Sequence, residues 1–195
     1  MNAYFLFFTL LLCISSSCCG NNKSSTITYN IQQTDTLQYI DPADTNYLTV
    51  FLNIDFAGTV NVFDNPNGNI IKSVKNDNDG EDIVMFNLLQ KQDSMYYVIA
   101  YNGGTNQILA KGWISQNTNL GVYSAAYGDL PCFLYKTPFN RKQIVIEEKV
   151  YNSNMYEVLD FEGEWLKVKI KVGNKFYIGW MPPEMQCANP YTTCS

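Results

Sequence analysis

The 195-residue chain contains no histidine. That removes Ser-His-Asp and Cys-His nucleophile systems and every metal site that needs imidazole. The remaining groups weighed for chemistry are carboxylates, thiols, and aromatic side chains beside cations. Glu147 and Glu148 are adjacent, so on a strand they point to opposite faces and do not form an acid–base pair. A calcium loop over Asp77-Asn78-Asp79-Gly80-Glu81-Asp82 would need an acid or amide at position 75 and a Glu at position 86. The chain has Lys75 and Phe86 there, and the segment reads as a solvated turn. Cys132, Cys187 and Cys194 lie in the C-terminal part. No two have Cys-x-x-Cys spacing, so no metal site is expected. In an oxidising compartment Cys187–Cys194 or Cys132–Cys194 can pair as a disulfide, with three buried thiols as the other possibility.

The most informative pattern is aromatic and cationic. Between residues 165 and 172, Leu166, Val168, Ile170 and Val172 fall on one face of a strand. Trp165, Lys167, Lys169 and Lys171 fall on the other, by the two-residue period of extended chain. A tryptophan in register with three lysines is expected to be at least partly exposed, where it can stack on a sugar or hold a peptide; the competing reading is that a bulge near Gly163 turns Trp165 inward or that the other module covers it. Trp165 and Lys167, with Tyr135, Tyr156 and Tyr177 as further lining, are therefore the candidate ligand-binding residues. Gly112-Trp113 and Gly179-Trp180 read instead as core, the glycine allowing close approach and the tryptophan filling the interior. No cofactor and no catalytic residue is expected.

The elements that must position these residues are short strands. In the second half they are expected at 132–136, 143–147, 155–161, 164–172 and 175–181, with hairpin signals at Glu162-Gly163 and Gly173-Asn174. In the first half they fall at 60–63, 69–75, 82–89, 95–101 and 107–114. An earlier strand runs from Leu48 to Phe56. No long helical period is present. The two sets match as an internal repeat: Val60 to Pro66 answers Cys132 to Pro138, and Gly112-Trp113-Ile114 answers Gly179-Trp180-Met181. Segment 119–129 joins them and is too apolar for a loose spacer. Its Val122, Tyr123 and Tyr127 are expected to pack between the two.

The N-terminus has a different character. Residues 3–14 form an uncharged apolar run, shorter than the ~20 residues a bilayer-spanning helix needs. Ser15-Ser16-Ser17 and then Cys18-Cys19-Gly20 follow. This arrangement resembles a bacterial lipoprotein signal, although no Lys or Arg precedes the cysteines and Ser15 stands where a branched aliphatic is usual. The resemblance implies a signal peptide over 1–17 and a lipid on Cys18, with Cys19 as the alternative. An ordinary cleaved signal with a soluble product is the competing reading. Residues 18–45 are polar and read as a tether. The protein is then expected in the cell envelope, at the outer membrane, touching the membrane only through its lipid. The formal net charge of −5, with 13 Lys and Arg against 18 Asp and Glu, argues against nucleic acid as a partner.

The second set of strands resembles a bacterial SH3-like (SH3b) domain. The residues that carry the likeness are Pro138, Ile144-Val145-Ile146, Tyr156 to Leu159, Gly163-Glu164-Trp165-Leu166-Lys167-Val168 and Gly179-Trp180-Met181. The first set is weaker, with Met95 or Tyr96 in the place of Trp165. The resemblance implies an all-β chain with two tandem small SH3-like barrels, at 46–118 and 130–195, around a packed linker at 119–129. It also implies binding to cell-wall peptide or glycan rather than catalysis. The alternative is an accessory or inhibitory subunit that docks another envelope protein.

Overall fold

Alternating apolar and polar runs, separated by tight turns, become antiparallel β-strands in a computed structural model that describes residue 38 and residues 47–77, 83–116, 119–125, 132–148 and 155–188. The strands are β1 (Leu48–Leu52), β2 (Val60–Phe63), β3 (Ile70–Val74), β4 (Val84–Gln92), β5 (Met95–Asn102), β6 (Ile108–Ser115) and β7 (Leu120–Ser124). They continue as β8 (Cys132–Thr137), β9 (Asn140–Glu148), β10 (Tyr156–Glu162), β11 (Trp165–Val172), β12 (Lys175–Met181) and β13 (Gln186–Cys187). A single 3-10 turn, Pro183–Met185, precedes β13. Among the described residues no helix is long and apolar enough to cross a membrane. Two-residue turns close four hairpins, and in three of them the first residue, Asp93, Gly163 or Gly173, takes a φ of 52°, 56° or 59°. Such turns follow the twist of the flanking strands only with positive φ.

All thirteen strands join one sheet, in the order β3-β2-β6-β5-β4-β1-β7-β10-β11-β12-β8-β9, with β13 added beside β7. Among the described residues this path has two ends and does not close. Outward from the β1–β7 pair the two sides match strand for strand: β4-β5-β6-β2-β3 on one, β10-β11-β12-β8-β9 on the other. The registers match too. Trp113 faces Tyr97 and Phe63, while Trp180 faces Lys167 and Tyr135. That alignment makes Met95, and not Tyr96, the counterpart of Trp165.

The expectation of two separate modules meets one sheet with one shared core. Val50, Phe86, Tyr96, Val98 and Ile114 from the first side pack in the same cluster as Val122, Leu134, Tyr156, Leu166, Val168 and Met181 from the second. Residues 120–124, read as part of a linker, are β7 itself, paired with β1, β10 and β13. β1 stops earlier than its alternation predicts. The Asn53 side chain accepts the Asp55 N–H at 3.0 Å, and this turn ends the strand before Ile54 and Phe56.

The sheet bends back on itself as it wraps this core. Bulges between Leu88 and Gln90 and between Val158 and Asp160 bend and twist β4 and β10 locally. The end of β4 thereby reaches β10. Lys91 pairs with Asp160 at 2.9 Å, the Tyr96 hydroxyl donates to the Leu159 carbonyl at 3.0 Å, and the Gln116 amide donates to the same oxygen. The Tyr96 ring meets Phe161 edge-on at 5.4 Å. Burial, and then the Asp160 carboxylate, push the Tyr96 hydroxyl above its usual titration range.

Candidate functional site

The face of β11 and β12 that points away from the shared core carries a second cluster, Tyr135, Trp165 and Trp180, with Phe133 against it. Strand alternation places it there. Leu166, Val168 and Met181 go inward, so their neighbours Trp165, Lys167 and Trp180 go outward. Gly179 lets β8 cross close by, because a Cβ there would meet Leu134 Cβ at 2.8 Å and the Tyr135 carbonyl at 3.1 Å. Gly112 does the same for β2, where a Cβ would lie 2.5 Å from the Phe63 carbonyl. The expectation that each Gly-Trp pair fills the interior is corrected in one half. The glycine permits the close approach, but Trp180 and Trp113 lie on the outer face, and Met181 and Ile114 occupy the core.

Trp165 lies on the lysine face but is only 6% exposed, which corrects the expectation of an open tryptophan. Its cover comes from β8, β12 and the β8–β9 turn. Tyr135 meets it edge-on at 5.7 Å and Phe139 lies 5.8 Å away. The Arg141 guanidinium sits 5.5 Å from the indole centroid. Arg141 forks onto Glu184, with Nη2 to Oε2 at 3.0 Å. Glu184 is brought there by the 3-10 turn after β12, which Gln186 fastens by donating to the carbonyls of Glu164 at 2.8 Å and Met181 at 3.2 Å. The Glu184 carboxyl is held below the usual carboxylate range, chiefly by its hydrogen bond from Arg141.

Phe139 is unusual. It is 62% exposed and has φ of 58°, a left-handed conformation that costs a residue with a side chain about 1–2 kcal/mol. Its ring rests on the Gly163 turn, where an added Cβ would lie 3.2 Å from it, and against Trp165. Beyond this cover the outer face continues as two stripes. Trp180, Ile178 and Phe176 run along β12, the last two exposed. Lys167, Lys169 and Lys171 run along β11. Lys169 and Lys171 lie 5.1 Å and 6.0 Å from the Phe176 ring, and Lys169 pairs with Glu157 at 3.1 Å. Lys167 also lines a cavity of about 550 Å³ with Lys91, Asp93, Gln116, Leu159 and Asp160.

Of the candidate residues, the fold thus brings together Trp165, Tyr135 and Lys167. Tyr156 and Tyr177 are corrected. Tyr156 is fully buried in the shared core and Tyr177 packs against it, because both alternate inward with Val158 and Gly179. Sequence reading missed Phe139, Arg141, Glu184 and Phe176. Only Phe139 carried a local signal, since it follows Pro138 in a turn between strands. Cys132 is a buried thiol at the start of β8, and Cys187 is disulfide-bonded. Cys194, Cys18 and Cys19, the segments 1–17 and most of 18–45, and the acidic loop 78–82 lie outside the described residues. Among the described residues no group of three or more His, Cys, Asp or Glu is placed to hold a metal. No protein-family model, no curated protein and no solved structure matches the chain.

Proposed function

We propose that this chain is a non-catalytic, lipid-anchored protein of the bacterial cell envelope that binds cell-wall peptide or glycan through a tandem pair of SH3-like modules. The observation that carries the reading is the aromatic cluster of Tyr135, Trp165 and Trp180 on the outer face of β8, β11 and β12. These rings add nothing to the shared core, and they sit beside a row of lysines. Aromatic rings next to cations suit a sugar ring or an extended peptide. The matching strand order on either side of β1–β7 supports the tandem reading. The anchor rests on the N-terminal sequence.

The test is sedimentation of the full chain with purified cell wall. The wild-type protein is expected to sediment, and Phe176→Ala combined with Lys171→Ala to stay largely in solution with its fold intact. A wild-type protein that stays in solution overturns the reading. A second reading, docking of another envelope protein, is favoured by one observation. Phe139, Ile144, Phe176 and Ile178 are all exposed, and Ile144 faces Tyr135 across the β8–β9 pair. Clustered exposed apolar side chains mark protein contacts. Retention of an envelope protein by the wild type, and not by the Phe176 variant, would favour it.

A further inference from the structure

We propose that the aromatic floor which Phe139 and Arg141 cover, Trp165 with Tyr135, is a subsite for an acidic sugar, a pyranose that carries a carboxylate, and that Glu184 holds it shut by occupying the place of that carboxylate. The inference rests on the cell-wall-binding reading and names the ligand chemistry of the same face. Three observations converge on it. A guanidinium fork is a match for a carboxylate, and Arg141 already presents its fork to one, that of Glu184. The Arg141–Glu184 pair is exposed on both sides, and exposed ion pairs exchange at little cost. A ligand carboxylate can therefore take the position of Glu184 without a large penalty.

Beneath the fork lies a ring surface with a polar neighbour. Trp165 offers its indole, and Tyr135, which carries a hydroxyl, packs edge-on beside it. The CH face of a pyranose suits an indole, and its hydroxyls suit the tyrosine. The cover is the residue best placed to yield. Phe139 is mostly exposed, sits at the tip of the terminal β8–β9 hairpin, and holds a backbone conformation unfavourable to any residue with a side chain. Strain of this kind at an aromatic cap points to a part that moves. When Phe139 swings away and Glu184 releases Arg141, the three groups left facing solvent are a fork, a ring and a hydroxyl.

The experiment is an NMR titration of the full chain, following the indole N–H signals of Trp165 and Trp113. The probes are glucuronate and N-acetylmuramic acid, with methyl glucoside and N-acetylglucosamine as neutral partners. Both acids are expected to shift the Trp165 signal and leave Trp113, on the other side of the sheet path, unmoved. The neutral sugars are expected to bind at least about tenfold more weakly, the size of one charge-assisted contact. Glu184→Gln is expected to tighten both acids about two- to fivefold by removing the internal competitor. Arg141→Gln is expected to erase the preference for acids. Equal binding of acids and neutral sugars, weaker binding by Glu184→Gln, or no shift with any sugar would each overturn the inference. If the protein still sediments with cell wall in that last case, the broader reading survives and only the subsite falls.

Discussion

β5 and β11 hold the same place in the two sides of the sheet, and their inward residues are alike. Their outward residues are not. Register aligns Met95, Tyr97, Ile99 and Tyr101 with Trp165, Lys167, Lys169 and Lys171. In the first side, the far end is buried. Tyr101 joins Phe51, Ile83 and Met85, and this cluster is covered by Tyr123, Met155 and Ala188 from the second side, with Phe51 and Tyr123 stacked at 5.0 Å. In the second side the far end is open and cationic, and burial shifts to the near end at Trp165. The neighbouring strand mirrors the exchange: Ile99 faces Lys111, whereas Lys169 faces Ile178. One backbone plan thus carries two surfaces. The first is spent on holding the halves together, and the second is left to meet something else.

The sharpest way to break that comparison is at its near end. Trp165→Ala is expected to lower stability by about 3–5 kcal/mol, as for other buried large aromatics. Met95→Ala, at a half-buried counterpart, is expected to cost about 1 kcal/mol. Urea midpoints would measure both, and equal losses would erase the distinction. A middle-sized effect is expected one step inward along the sheet. Asn87 is buried and accepts from the Thr49 hydroxyl at 2.9 Å, so Asn87→Ala should cost about 1–2 kcal/mol. Its counterpart Glu157 makes a partly exposed pair with Lys169, and Glu157→Ala should cost less than about 1 kcal/mol.

The smallest effect is a matter of pH. Because Arg141 depresses the Glu184 carboxyl, the pair is fully present above the ordinary carboxylate range. It is lost as pH falls through the lowered value. The exposed geometry limits its contribution to less than about 1 kcal/mol. Acid titration should therefore move the Trp165 indole signal only below the usual range for glutamate, with Trp113 unaffected. Glu184→Gln should remove the step. A Trp165 signal that titrates identically in that variant would detach the latch from the indole.

The strands themselves were legible because their causes are local. Alternation over residues 165–172 and the turn residues at Gly163 and Gly173 specify β11 and its hairpins without help from elsewhere. The side on which Trp165 lies was legible for the same reason. Its cover was not, since Tyr135, Phe139, Arg141 and Glu184 come from other strands and turns, and only the crossing of β8 over β12 brings them near. Tyr156 and Tyr177 misled because tyrosine suits either face, and only neighbours such as Val158 and Gly179 decide which. The joining of both sets into one sheet was hidden in two short apolar strands, β1 and β7, whose pairing is long-range.

That pairing has a consequence for the order in which the molecule can be made. Synthesis delivers β1 through β6 first. Until β7 emerges, the edge of β1 has no strand beside it on that side, and Val50 and Phe86 lack the Val122 and Tyr156 that complete their core. A nascent chain at that stage offers an adhesive edge of the kind that pairs with other chains. Pairing of β7 with β1 and β10 removes that edge, so the hazard lasts only until the second half of the chain joins the first.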